Sequence, residues 1–236
     1  MPRPRTVYRG KRKYSWIITL AVTLLVVVIL LAVWLFYHLQ RYIVYDKDGL
    51  RLDLSAQREE LLRPGDVFCH CYHAKGNTIL DDKGHVSKEI WEAKKRGVLF
   101  DAANGKSNFA FSVAEPAMAE GFFPDIISTD LTCLTIYKDY SFGLPYVLSK
   151  YICMGMPVDQ VLKAATETPA KWLGKETEIG TLAPGARADI AVFRWKEMPV
   201  TYRDARGDSY CGKGLLIPQM TVKDGVIVFR QPDFAL

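Results

Sequence analysis

SKEIWEAKKRGVLFDAA (Ser87–Ala103) sets a helix directly against a strand. Ser87 is placed to cap the helix, Gly97 to stop it, and GVLFDAA (Gly97–Ala103) continues as an apolar strand. The same alternation extends both ways: GDVFCHCY (Gly65–Tyr72) reads as the strand before it. AFSVAEPAMAEGF (Ala110–Phe122) is the helix after it, with a proline placed to kink it, and DIIST (Asp125–Thr129) is a third strand. Strand starts near Val67, Val98 and Ile126 lie 31 and 28 residues apart. This matches the period of about 30 residues of a βαβ unit, so the spacing predicts an α/β fold with a parallel sheet. LPYVLSKYICMG (Leu144–Gly155) and PVDQVLKAATETPAKWLG (Pro157–Gly174) follow as helices. From there TLAPGARADIAVFRW and PQMTVKDGVIVFR alternate apolar and polar residues around turns, and KDG (Lys223–Gly225) is a hairpin signal, so the chain is expected to end in a small β module.

Before this region, WIITLAVTLLVVVILLAVWLFY (Trp16–Tyr37) runs 22 residues without a charge, glycine or proline, enough for a helix to cross a hydrocarbon layer about 30 Å thick. A cleaved signal peptide is the competing reading, but its apolar stretch is shorter and ends in small residues, whereas this one ends in WLFYHLQRYIVY. Arg3, Arg5, Arg9, Lys11, Arg12 and Lys13 precede the span without an acidic residue. Arg41 and Lys47 after it are mixed with Asp46 and Asp48, which predicts a cytoplasmic N-terminus and an external remainder. The same six charges account for the net charge of +5, so no nucleic-acid footprint is indicated. YIVYDKDGLRLDL (Tyr42–Leu54) reads as two short strands, Tyr42–Tyr45 and Leu50–Leu54, around a polar turn, and SAQREELLR (Ser55–Arg63) as a linker. The five cysteines are odd in number and lack a disulfide framework, a pattern that suits a reducing compartment and conflicts with an external location.

In a parallel α/β barrel the site is built at the C-terminal strand ends, which here hold His70, Asn104 and Asp130. Strand alternation would send Cys69 and Cys71 to one side and His70 with Tyr72 to the other, so one imidazole could project into a lumen and hold a divalent metal. A carboxylate at a neighbouring strand end could share that ion and accept a proton from bound water. Against these stand plainer readings: a strand histidine satisfied in the core, and an aspartate acting as a helix cap. NGKSN (Asn104–Asn108) lacks the glycine spacing of a phosphate loop; His85, in a polar turn, is expected to be solvated; a structural zinc on Cys69, Cys71, His70 and His73 is disfavoured by the alternation.

LRPGDVFCHCYH (Leu62–His73), GVLFDAANGKSNFAF (Gly97–Phe111), FPDIISTDL (Phe123–Leu131) and ATETPAKWLG…EIGTLAPGARADIAVF (Ala165–Phe193) together resemble the amidohydrolase superfamily, in its amidohydrolase/deacetylase branch related to dihydroorotases. The resemblance covers roughly residues 61–230. It implies a partial (β/α)8 TIM barrel holding the last three βα units (62–174), followed by a small β-sandwich module (175–236) and preceded by a basic cytoplasmic tail (1–15), a transmembrane helix (16–37) and a short β segment with linker (38–61). It also implies that Asp130, after the eighth strand, is the metal-bound general base. His70, on the sixth, becomes a metal ligand, and Asn104 after the seventh, with His73 at the same mouth, meets substrate. The expected chemistry is hydrolysis of an amide or ester bond of a small molecule by metal-activated water, with zinc as the expected ion. The family's HxH pair on the first strand, the carboxylated lysine or glutamate on the fourth and the histidine on the fifth have no counterpart among His38, His70, His73 and His85. Activity is therefore expected only with a complementary chain or self-association, and a non-catalytic anchored remnant is the alternative. Residues 1–54 more weakly resemble the membrane anchor of bacterial glycoside-hydrolase-like proteins. This makes a fusion of two unrelated proteins a second alternative and a membrane-anchored glycosidase a third. A fusion of that kind would also explain cysteines of a reducing compartment behind an exporting anchor.

Overall fold

The computed structural model describes residues 15–39, 43–46, 49–52, 62–138 and 140–234, with side chains for 20–36 and from 62 onward. The chain divides into two compact units, one ending at Gln57 and the other starting at Arg58. In the first, α1 (Ser15–Leu39) is a continuous helix, and β1 (Ile43–Asp46) pairs antiparallel with β2 (Gly49–Leu52), Ile43 opposite Leu52. The side chains of residues 20–36 are exposed. Among the described residues no helix is long and apolar enough to cross a membrane, although the backbone of α1 covers 25 residues.

In the second unit β3 (Val67–Cys69) and β4 (Leu99–Asp101) pair in parallel, with Phe68 beside Phe100. The expected third strand is present as an extended segment: Ala102 N donates to Ile126 O at 3.0 Å, Asn104 N to Ser128 O at 3.1 Å and Gly105 N to Thr129 O at 2.9 Å. The order β3, β4, 126–129 is that of successive βα units. Between the first two runs α2 (Lys88–Arg96), whose start is fixed by Ser87 Oγ accepting from Ile90 N at 3.4 Å. Its end is fixed by Gly97 at φ 96°, a left-handed stop that glycine adopts without strain. Ile90 and Ala93, three residues apart on one helix face, are buried with Phe100 and Phe122 in the core.

α3 (Phe111–Ala119) follows β4, and Pro116 lies inside it. Its N-cap, Ala110, has no side-chain oxygen; Asp204, far along the chain, accepts from Phe111 N at 3.0 Å instead. α4 (Leu144–Cys153) comes next, and the long helix expected over 157–174 is two: α5 (Val158–Ala165) and α6 (Glu167–Trp172), broken at Thr166. Pro169 has no N–H to donate to the Ala165 carbonyl four residues back and its ring crowds that carbonyl, which breaks the helix one turn before it. Gly180, at φ 72°, lies so close to the break that a Cβ there would sit 2.6 Å from the Thr166 carbonyl oxygen.

The C-terminal part is one antiparallel three-stranded sheet in the order β5 (Ile190–Arg203), β6 (Ser209–Lys223), β7 (Val226–Arg230). A sandwich needs two facing sheets, so the sequence reading is corrected here: a single layer docks on α4, where Tyr210 Oη donates to Cys153 O at 2.8 Å and Leu216 N to Ser149 Oγ at 2.8 Å. The β6–β7 turn is the one read from KDG, with Asp224 at φ 49° and Gly225 at φ 80°, the twin positive angles of a tight hairpin. Asp189 accepts from Asp224 N at 2.8 Å and from Lys223 Nζ at 2.6 Å; its carboxylate belongs to this turn.

Candidate active site

The C-terminal ends of the three parallel segments carry His70, Ala103 and Asp130, and each is a non-glycine residue in the left-handed region, at φ 61°, 35° and 47°. Such conformations cost on the order of 1 kcal/mol each and persist where the surroundings over-determine them, a common property of functional strand ends. The left-handed turn at His70 ends β3 at Cys69, so the alternation expected through Tyr72 breaks. Cys69 is exposed while Cys71 and Tyr72 are both buried, and the two cysteines do not share a face.

The half-buried imidazole of His70 places Nδ1 3.0 Å from Ala103 O. A carbonyl can only accept, so Nδ1 carries a proton, which in the neutral imidazole leaves the lone pair on Nε2, the tautomer of a histidine that ligates a metal. His73 lies one tight turn on, its backbone N donating to His70 O at 3.0 Å, and its Nδ1 accepts from Lys75 N at 3.3 Å. The exposed Asp130 accepts from Asn108 Nδ2 at 2.7 Å. A Cβ on Gly105 would lie 2.6 Å from Asp130 Oδ2 and 2.9 Å from Asn108 Nδ2, so a side chain there would have to shift both groups.

Asn104 is buried, and the protein uses both ends of its amide: Oδ1 accepts from Lys150 Nζ at 2.7 Å, and Nδ2 donates to Tyr140 O at 3.1 Å. Two further groups hold the same strand ends and escaped the sequence reading. Asp101, the last residue of β4, takes Ser128 Oγ on both carboxylate oxygens at 2.9 Å and Ala103 N at 3.0 Å, tying the second segment to the third. The signal was a carboxylate ending an apolar strand in GVLFDAA. Lys150 lies on the apolar face of α4, three residues after the buried Val147 and beside the buried Tyr151, a position where a helical-face count flags a misplaced cation. His85, expected to be solvated, is exposed but has Nδ1 2.7 Å from Glu120 Oε1, which holds its pKa above the ordinary histidine range.

Among the described residues no three His, Cys, Asp or Glu side chains converge on a point where they could hold one ion. Most catalytic zinc centres use three protein ligands. His70 and Asp130 therefore do not make a resident metal site by themselves. A cavity of about 440 Å³ lined by Lys94, Asp125, Met156, Asp159, Lys163 and Thr168 lies elsewhere, where the 126–129 segment starts, and Lys94 and Asp125 are paired within it at 2.7 Å. The strand ends are thus the better candidate, by the chemistry of the groups they carry.

The profile of the Amidohydrolase family matches residues 153–229. A deacetylase of Enterococcus faecalis is 32% identical over 168 residues, 71% of this chain and 45% of that protein. A deacetylase of Agrobacterium fabrum is 32% identical over 173 residues, 69% of this chain and 40% of that protein. Among solved structures, an adenine deaminase aligns with a TM-score of 0.69 at 30% identity, over 72% of this chain and 46% of that one. A dihydroorotase aligns with a TM-score of 0.63 at 31% identity, over 73% and 44%. The chain thus spans less than half the length of these relatives.

Proposed function

From the premise that residues 62–230 are a C-terminal portion of an amidohydrolase-superfamily chain, we propose that this protein contributes part of a metal-dependent site that hydrolyses amide or ester bonds of a small molecule. The observation that carries the proposal is the convergence, on three adjacent parallel strand ends, of His70 with Nε2 free to ligate, a buried Asn104 and an exposed Asp130. Asp130 is the base that accepts a proton from the attacking water, and His70 is this chain's imidazole ligand. His73, one turn from His70, faces substrate at the same mouth; Asn104 serves from behind, through its backbone and its buried amide. A divalent ion, zinc by the nitrogen and oxygen donors, would polarise the scissile carbonyl and acidify water. The remaining ligands come from a complementary segment, either another chain or a second copy. A parallel strand such as β3, with β4 on one side only among the described residues, is the edge at which such a segment would pair.

α1 is the proposed membrane anchor. A helix of 25 residues is about 37 Å long at 1.5 Å per residue. The apolar character of residues 16–37 and the basic residues before them support a single crossing with the N-terminus inside and the C-terminal part outside.

The test is hydrolysis of a panel of N-acetyl amino acids and acyl esters in zinc-containing buffer by the full chain in detergent, alone and co-expressed with the N-terminal half of the Enterococcus faecalis deacetylase. Turnover with the added half, lost in Asp130→Asn, is the expected result. Turnover that survives Asp130→Asn would overturn the assignment. A lack of turnover, with or without the added half, would favour a non-catalytic anchored remnant, for which the two-ligand donor set is the supporting observation.

A further inference from the structure

Lys150 is buried completely within α4, an environment that disfavours a cation and pushes its pKa well below the ordinary lysine range, against an opposing pull from Asp204. Nζ lies 3.5 Å from the centroid of the Phe109 ring, with Phe111 and Tyr151 at 5.7 and 5.8 Å, and donates to Asn104 Oδ1 at 2.7 Å. The Tyr140 carbonyl can only accept and takes Asn104 Nδ2 at 3.1 Å, while Lys150 Nζ donates to Oδ1 on the other side; the two partners together hold the amide with its oxygen toward α4. The backbone of the same residue pair holds the other end of that loop: Asn104 N donates to Ser128 O at 3.1 Å and Gly105 N to Thr129 O at 2.9 Å. The loop carrying Asp130 thus leaves and returns on residues 104 and 105.

We propose that Lys150 is a positioning residue: by fixing which way the Asn104 amide faces, it clamps the return of the loop from Thr129 to Ser141 and so sets where Asp130 stands. The catalytic meaning of the clamp rests on the function proposed above, but the clamp itself is read without any hydrolysis, so the two fail separately.

Hydrogen–deuterium exchange of the full chain in detergent tests it, comparing loop 129–141 with α2 (88–96) and β6 (209–223). Lys150→Met removes the donor. Asn104→Asp is sharper, because it keeps an acceptor for Lys150 and removes the donor to Tyr140 O. Both are expected to speed exchange of the loop amides, Tyr137 and Ser141 among them, by about tenfold while α2 and β6 stay within about twofold of the wild type. Loop exchange unchanged in Asn104→Asp would overturn the proposal, and so would acceleration shared equally by all three segments, which marks a merely structural lysine. If Lys150→Met fails to fold, Asn104→Asp decides alone. Misfolding of Asn104→Asp also counts against the clamp, since that variant leaves the lysine partnered.

Discussion

Gly105 shows how tightly the site is specified at single residues. Its φ of 42° and the absence of a side chain let the 104–105 backbone pass against Asp130. Gly105→Ala is expected to displace the Asp130 carboxylate and lower the unfolding free energy by about 1–2 kcal/mol, read by urea denaturation. Lys150 gives a pH signature. Burial holds its pKa well below the ordinary value of 10.5, so between the folded and the ordinary value unfolding takes up a proton. The unfolded state then holds more protons, and stability rises with pH across that window, levelling near the free lysine's pKa. Subtracting the curve of Lys150→Met cancels the raised pKa values of Cys71, Tyr72 and Tyr151, which oppose it at higher pH. The difference is expected to slope upward with pH as the ordinary value of 10.5 is approached from below, and a flat difference would mean that burial does not lower the lysine's pKa.

The elements were the legible part. α2 was read with both of its ends because its signals are local: a serine oxygen reaching the third amide of the helix and a glycine at φ 96° are written in adjacent residues. Ser87→Ala is accordingly expected to cost about 1 kcal/mol, measured by thermal or urea unfolding with the Gly97 end untouched. The Asp224–Gly225 turn was legible for the same reason. The cap of α3 was not, because it comes from Asp204, 93 residues away; the break at Thr166 did have a local mark, Pro169, which the reading of one helix over 157–174 passed over. In β3 the period-two reading failed at His70, whose left-handed backbone is imposed by the strand-end turn and leaves no mark in the local sequence. Of the candidate site, His70, Asn104 and Asp130 were singled out from their place after apolar runs, and His73 from the family resemblance. Asp101 and Lys150 were missed since their partners, Ser128 and Asn104, lie 27 and 46 residues away.

At the scale of the molecule, the parallel segments and the sheet beyond them form a core that runs from Cys71 to Leu216. Residues that sequence distance separates are joined there by the docking of β5 and β6 on α4. The strand ends beside this core carry His70 and Asp130, and the chain spans less than half the length of the relatives it matches. The central claim, that His70 and Asp130 are one chain's share of a shared metal site, is tested most directly by the zinc content of the full-length protein after dialysis. The account expects well below one ion per chain for the protein alone, rising toward one with the complementary half present and falling again in His70→Ala or Asp130→Ala. One tightly held zinc per chain in the protein alone, unaffected by either substitution, would contradict it.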